Sequence, residues 1–200
     1  SAYLELHDGY VIRALPGSKS VYPIQACLYI DKENLQQNVH NLIIAEEGSE
    51  LHVIAGCATS PRLQRGIHVG ISEFFVKKGA RLSFTMIHNW AEEMAVRPRS
   101  VAHVEEDGLF VNNYICLKPV RSIQMYPTTH LLGDRATAMF YSVIVGSPGS
   151  NFDIGGRIHL LRPGARAEII QRSISNGGHI VNRGHLIGKA PEIKAHLECK

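Results

Sequence analysis

The chain has 200 residues, 44% of them hydrophobic, with 21 Lys and Arg against 18 Asp and Glu. This composition excludes a disordered chain, and a formal net charge of +3 without a Lys/Arg run gives no indication of a nucleic-acid partner. No apolar stretch approaches the roughly 20 residues needed to cross a bilayer, so we expect no membrane contact.

The four cysteines, Cys27, Cys57, Cys116 and Cys199, lie far apart, and no C-x-x-C pair occurs. This spacing differs from that of a disulfide-rich secreted domain and from that of a zinc knuckle. Reduced thiols in the cytosol are the simplest interpretation, so we expect a cytoplasmic protein.

In chain order, short runs of alternating or β-branched residues dominate, which favours strands over helices. Residues 31–41 have helical spacing and predict one short helix. Residues 89–99, which include Trp90 and Pro98, predict an excursion loop. The predicted strands are residues 42–45, 51–55, 68–76, 82–87, 111–117, 138–145, 167–170 and 193–199.

A repeated unit organises these strands. Five or six times, the last more loosely, a strand ends at a glycine corner and a second strand follows, as in I-I-A-E-E-G-S-E-L-H-V-I at residues 43–54. Glycine supplies the positive φ that such a corner requires. The corner glycines are Gly48, Gly79, Gly108, Gly133, Gly164 and Gly188, at spacings of 31, 29, 25, 31 and 24 residues. A unit of this period buries its apolar face only by stacking, so we predict an all-β solenoid with coils of roughly 24–31 residues. A β-sandwich is the alternative.

Strand alternation assigns side chains to faces. Cys57 shares a face with the apolar residues of its strand, and Met86, His88 and Trp90 share a face in the next strand. We therefore expect these four side chains to point into the solenoid. Packing and the lining of an interior passage both remain open as roles for Cys57.

The last predicted strand carries a second candidate group. Cys199 has the parity of its apolar neighbours, whereas His196 and Glu198 have the opposite parity. His196 and Cys199 thus face opposite sides of one strand, which is poor geometry for a shared metal. The face of Cys116 stays undecided.

Several stretches together resemble the SufB/SufD family of iron–sulfur cluster assembly proteins, from about Tyr22 to the end of the chain. Their order and spacing carry the resemblance. The stretches are G-S-E-L-H-V-I-A-G-C (48–57), H-V-G-I-S-E-F-F-V-K-K-G-A-R-L-S-F-T-M-I-H-N-W (68–90), R-A-T-A-M-F-Y-S-V-I-V-G (135–146), D-I-G-G-R-I-H-L-L-R-P-G-A-R-A-E-I-I-Q-R-S-I-S-N-G-G (153–178) and N-R-G-H-L-I-G-K-A-P-E-I-K-A-H-L-E-C (182–199).

The resemblance implies a right-handed parallel β-helix forming one domain over residues 1–200. It implies a scaffold, not an enzyme, that receives persulfide sulfur and iron and holds a transient iron–sulfur cluster. The implied partners are a SufC-type ATPase, a cysteine desulfurase system as sulfur donor, and a SufD-like or identical chain that pairs through the last β-strands. The helical regions that flank the β-helix in this family, including the one that binds the ATPase, are expected to be absent from these residues. The fragment alone therefore need not hold a cluster.

Residue by residue, the resemblance makes Cys57 the sulfur acceptor and Cys199 the cluster ligand. Trp90 matches a tunnel-lining residue, with His88 and Met86 beside it, and His88 stands where SufB has a glutamine. The possible auxiliary ligands are His196 and Glu198. Tyr29 and Asp31 stand where SufB has an Arg-x-Asn pair in a tunnel-lining strand. The presence of both matched cysteines favours SufB over SufD.

Two other classes of protein remain as alternatives. A β-helix enzyme acting on polysaccharide needs acidic or basic groups that converge on an outer groove. The acidic residues of this sequence fall mainly at the predicted corners, which disfavours such an enzyme. A purely structural solenoid that pairs end to end is the second alternative, because an open last strand invites pairing.

Overall fold

The computed structural model describes residues 8–32, 34–60 and 62–200. All regular elements in these ranges are strands, which confirms the all-β class, and no helix there is long and apolar enough to cross a membrane. The strands are β1 (Val11–Ala14), β2 (Ile24–Ile30), β3 (Gln36–Ala45), β4 (Glu50–Thr59), β5 (Arg65–Val76), β6 (Arg81–Asn89), β7 (Glu93–Val96), β8 (Arg99–Val104), β9 (Leu109–Cys116), β10 (Ser122–Met125), β11 (Thr128–Leu131), β12 (Thr137–Gly146), β13 (Asn151–Leu160), β14 (Arg166–Ser175), β15 (His179–Gly188) and β16 (Lys194–Cys199).

The strands form two parallel sheets that face each other across the core. The first, here the continuous sheet, has the order β16-β14-β12-β9-β6-β4-β2, so each successive coil contributes one strand. The second, here the broken sheet, contains β1, β3, β5, β7, β8, β10, β11, β13 and β15. Stacking of consecutive coils through parallel pairs confirms the predicted parallel β-helix.

Two prolines divide strands of the broken sheet. Strand β5 pairs with both β7 and β8, and Pro98 lies between those two halves. Strand β13 pairs in the same way with β10 and β11, on either side of Pro127. Because proline has no N–H to donate, the ladder is interrupted in both coils, at positions two residues apart in the register.

The core between the sheets is built from in-register rows of inward side chains. One row runs through Leu51, Leu82 and Phe110, and all three are at most 1% exposed. Phe74 of the opposite sheet packs against Phe110 with a centroid distance of 5.0 Å. The predicted strands are confirmed at their centres, because their apolar alternation coincides with this burial.

Two sequence predictions are wrong. Of the predicted helix over residues 31–41, residues 36–41 lie in β3, and residue 33 lies outside the described residues. The inward positions Gln37 and Asn41 are polar, which hid the two-residue alternation with Val39. Residues 89–99 contain β7 instead of only a loop, because Met94 and Val96 are buried and pair with β5. A strand of four residues is too short for its period to show in the sequence.

The predicted role of the corner glycines is confirmed at three corners and wrong at three. Gly48, Gly79 and Gly164 have φ of 65°, 63° and 70°. At the other corners the positive φ belongs to Asp107, Arg135 and Glu192. The glycines there serve close packing instead, because a Cβ added to Gly133 would overlap the backbone of Glu106 in the preceding coil.

Candidate functional site

A cavity inside the solenoid surrounds the thiol of Cys57. It encloses about 50 Å³, which is room for a few water molecules. Strand β4 supplies Cys57, and β6 supplies Met86 and His88 from inward positions beside it. The Cys57 Sγ lies 3.8 Å from the Met86 Sδ. This first cavity is also lined by Leu28, Asn41, His68, Gly70, Ser72, Phe74, Phe84, Pro98, Arg99, Ser100, Asn112, Tyr114, Met125 and Pro127.

Hydrogen bonds and ring contacts fix the polar side chains around this cavity. The Tyr114 hydroxyl lies 2.9 Å from His88 Nδ1. His68 Nδ1 lies 2.9 Å from Gln37 Oε1, so it donates to that oxygen and leaves Nε2 as the unprotonated nitrogen. Trp90 packs against both imidazoles, with centroid distances of 4.8 Å to His68 and 5.3 Å to His88.

Burial keeps this part of the interior electrically neutral. It raises the pKa of Cys57 to about 12, with a smaller effect of the nearby Cys27. It lowers the pKa of His68 to about 4 and that of His88 to about 3. Each of these groups loses hydration in its charged form without gaining an opposite charge. Cys57 is therefore a thiol near neutral pH, and the two histidines are uncharged.

A second, smaller cavity continues from the first. It encloses about 20 Å³, enough for about one water molecule. The two cavities share four lining residues, Asn112, Tyr114, Met125 and Pro127. The two proline breaks thus lie at the first cavity, and Pro127 borders both.

An inward row of the continuous sheet connects the two cavities. The row runs through Met86, Tyr114, Ser142, Gln171 and Cys199 on successive coils. Ser142 and Gln171 line the second cavity. The buried Ser142 Oγ has no hydrogen-bond partner among the described residues, so it is free to bond to a small guest. The interior is therefore continuously lined by polar or sulfur-bearing groups from Cys57 to the last described coil.

Cys199 stands at the far end of this row. Its thiol lies 3.4 Å from Gln171 Oε1, and partial burial raises its pKa, opposed by the nearby Arg172. Cys199 is exposed, whereas Cys57 is 1% exposed. Five coil steps of about 4.8 Å separate their strands, or about 24 Å.

His196 and Glu198 lie on the outer face of β16, opposite to Cys199. They pair with Glu168 and Ile170 of β14, whereas Cys199 pairs with the inward Gln171. Hydrogen bonds from Lys200 and Arg172 lower the pKa of Glu198 to about 2. No group of three or more His, Cys, Asp or Glu side chains in residues 8–32, 34–60 and 62–200 is arranged to hold a metal ion.

The two remaining cysteines differ in position. Cys116, whose face was undecided, is inward and 1% exposed, and it pairs in register with His88. Burial raises its pKa to about 12. Cys27 is exposed, at a register position beside Gly56. All four thiols are free.

The structure brings Cys57, Met86 and His88 to one cavity, with Trp90 packed behind it. Sequence reasoning missed His68 and Gln171 as lining residues. The signal for His68 was present, because it has the inward parity of Phe74 in a predicted strand. Gln171 was missed because the predicted strand stopped at residue 170, one position too early.

Comparisons with known proteins agree with this architecture. Residues 28–200 match the family model described as "SUF system FeS cluster assembly, SufBD core domain". An Archaeoglobus fulgidus protein described as "Iron-sulfur cluster assembly SufBD family protein" is 56% identical over 193 residues, which are 96% of this chain and 52% of the relative.

Two further relatives extend the comparison. A SufBD family protein of Methanothermobacter thermautotrophicus is 49% identical over 192 residues, covering 96% of this chain and 47% of the relative. The Bacillus subtilis "Iron-sulfur cluster assembly protein SufB" is 30% identical over 196 residues, covering 96% of this chain and 42% of the relative. The chain spans about half the length of these relatives. By the match of its core domain, the chain belongs to the SufBD family of iron–sulfur cluster assembly proteins.

Proposed function

We propose that this β-helix is a cytoplasmic scaffold for iron–sulfur cluster assembly, in which Cys57 accepts sulfur and Cys199 binds the nascent cluster. The observation that carries the proposal is the pair of adjoining cavities between these two thiols. The row through Met86, Tyr114, Ser142 and Gln171 supports it, because it lines the interior over the whole distance.

The chemistry proposed at Cys57 is a thiol–persulfide exchange. Its sulfur forms a bond to the outer sulfur of a donor persulfide, and the S–S bond of the donor breaks. The donor leaves as a thiol, so the number of S–S bonds does not change. Because burial holds Cys57 as a thiol, a base must take its proton as the new bond forms. The unprotonated Nε2 of His68, in the same cavity, is the group we assign to take this proton and pass it to the departing donor sulfur.

The environment of Cys57 suits storage more than rapid exchange. A buried thiol reacts slowly with oxidants, and its persulfide would lie beside uncharged histidines, His68 and His88. Sulfur would then pass along the interior beside Met86, His88 and Trp90. Tyr114 and Ser142 would be its next neighbours in the direction of Gln171.

At the far end, Cys199 supplies a thiolate ligand, the usual protein ligand of iron–sulfur clusters. Further ligands are proposed to come from a paired chain or from residues outside this sequence, since His196 and Glu198 lie on the opposite face. The partners proposed for the whole protein are a SufC-type ATPase, a cysteine desulfurase system, and a SufD-like or identical chain beside the last strands.

Anaerobic cluster assembly on the intact protein tests these roles by visible absorption. Inorganic sulfide and a desulfurase with cysteine serve as alternative sulfur sources. Cys57→Ser is expected to abolish assembly from the desulfurase only, because free sulfide does not require the acceptor. Cys199→Ser is expected to abolish the charge-transfer band with both sources, because it removes a ligand.

Cys27→Ser is the matched control, since Cys27 is exposed and outside both cavities. It is expected to behave as the parent. A normal cluster in Cys199→Ser would contradict the ligand role. Equal loss with both sulfur sources in Cys57→Ser would contradict the acceptor role.

A further inference from the structure

A ladder of aromatic rings runs across the outer face of the broken sheet. Phe75, His103, His130 and His159 occupy the same register position on successive coils. The ring centroids of His103 and His130 are 5.5 Å apart, and those of His130 and His159 are 4.7 Å apart with planes inclined by 17°. We call His103, His130 and His159 the histidine ladder. Eleven histidines in 200 residues are many, and the interior route uses only two of these.

The imidazoles of His130 and His159 favour the uncharged form, because the pKa of each is lowered. Partial burial and the neighbouring His103 lower the pKa of His130. Partial burial, His130 and Arg157 lower the pKa of His159. In the described part of the chain, the ring nitrogens of His130 and His159 make no hydrogen bond with another residue. Neutral imidazoles without a competing partner are the form in which histidine binds transition metals.

We propose that His130 and His159 form a two-histidine site for a borderline divalent transition-metal ion such as Zn²⁺, Co²⁺ or Ni²⁺. Imidazole is a ligand that these ions prefer, and the fixed register holds the two rings on one face. Two nitrogens bound tetrahedrally at about 2.0–2.1 Å lie about 3.4 Å apart. The stacked imidazole planes are nearly parallel, so each ring must rotate about its own side-chain bonds to direct a nitrogen lone pair at a shared ion, while the backbone stays unchanged.

The surroundings define what else the ion would meet. His103 lies on the far side of His130 from His159, so the three rings cannot converge on one point. Arg157, Lys189 and His185 are close enough to affect the charge of His159, and the first two would oppose a cation. Among the described residues no third His, Cys, Asp or Glu, His185 included, is arranged to complete a metal site with the pair. The site therefore has two protein ligands, and water completes the coordination of the ion. We expect its affinity for the ion to be modest. It lies outside the solenoid and does not depend on the sulfur route.

Titration of the intact protein with Co²⁺ tests the site. The protein, here the background, carries the substitutions Cys27→Ser and Cys199→Ser, which remove the two exposed thiols of the residues that the structure describes. Co²⁺ bound to imidazoles gives visible d–d bands, whereas a thiolate ligand adds near-ultraviolet charge-transfer absorption. We expect the visible d–d bands of imidazole ligation without near-ultraviolet charge-transfer absorption from a thiolate. We expect the double variant His130→Asn/His159→Asn to weaken binding at the tightest site by about tenfold or more, as expected for loss of metal ligands.

The control is the double variant His52→Asn/His179→Asn, which removes two histidines outside the ladder. It is expected to bind as the background does. Equal weakening in both double variants would overturn the proposal, as would absence of binding in the background or a thiolate-type spectrum; the ladder would then be a packing feature. Circular dichroism checks that the variants fold. Cluster assembly by the ladder variant should be unchanged, which separates this proposal from the sulfur route.

Discussion

The chemistry of the interior depends on single side chains whose charge is suppressed by burial. His88 illustrates this, because its Nδ1 bonds to the Tyr114 hydroxyl while the ring itself is only 4% exposed. A protonated imidazole there would lose its hydration with no carboxylate in contact to replace it. The same physical effect keeps Cys57 protonated, so Cys57, His68 and His88 offer neutral hydrogen-bonding groups and sulfur to whatever enters the first cavity.

Because these histidines are buried in the uncharged form, we predict that the folded chain loses stability in acid. The pKa of His88 is about 3 in the folded chain and 6.5 without burial, so the unfolded chain binds more protons between these values. The free energy of unfolding is therefore undiminished above about pH 6.5 and falls as the pH drops, with a slope of about 1.4 kcal/mol per pH unit for each such histidine. His68 contributes in the same way down to its pKa of about 4.

His88→Gln should reduce this slope in urea unfolding measured at several pH values. Glutamine keeps an acceptor for Tyr114 but does not titrate, so stability near neutrality should change by less than about 1.5 kcal/mol. His52→Asn is the control, because that side chain is half-exposed on the outer face. An unaltered slope in His88→Gln would show that protonation of His88 does not cause the fall in the free energy of unfolding at low pH.

At the scale of elements, the corners decide how closely successive coils stack. Glycine fills two different needs there. Some corner glycines provide a positive φ, whereas Gly133 leaves room for the backbone of Glu105 and Glu106 in the preceding coil. Asp107 adopts a positive φ of 54° and is held by the Arg135 guanidinium of the next coil, with an Nε–Oδ1 distance of 2.7 Å.

Gly133→Ala is expected to destabilise the protein by about 2 kcal/mol or more, because the added methyl group forces the two corners apart. The matched control is Gly56→Ala, where an added Cβ meets no atom within 4 Å. That change is expected to be neutral or stabilising by about 0.4–1 kcal/mol. Thermal or urea unfolding measures both. Equal losses of stability in the two variants would show that glycine at position 133 is not required by the close approach of the Glu106 backbone.

For the molecule as a whole, stability accumulates coil by coil. Strand β9 lies between β6 and β12 and is supported on both sides, whereas β2 and β16 each have one neighbour within the continuous sheet. In such a stack each unit is stabilised mainly by the interfaces with its neighbours. The first cavity lies where β4, β6 and β9 adjoin, so its walls in the continuous sheet belong to doubly supported strands, apart from Leu28 of β2.

Amide hydrogen exchange on the 200-residue chain should show a gradient along the solenoid. We expect amides of β6, β9 and β12 to exchange most slowly and those of β2 and β16 most rapidly, because end coils open at lower cost. Uniform protection of all seven strands of the continuous sheet would mean that the chain opens only globally.

The sequence by itself determined the period of the solenoid and the inward direction of Cys57, Met86 and His88, because both follow from local rules. A β-strand alternates its side chains whatever surrounds it, and a stacking unit repeats its corners. The same rules failed where a local pattern was short or polar. The four residues of β7 and the polar inward positions Gln37 and Asn41 carry little signal of their own.

Only the tertiary structure decided which coils place their side chains next to one another. The contact of Cys57 with Met86, the bond of Tyr114 to His88, and the row that ends at Gln171 and Cys199 join residues 26 to 29 positions apart. Those contacts depend on the exact register between coils, and a shift of one residue would turn each row to the opposite face. The register is set by close packing at every corner at once, which no local stretch of sequence contains.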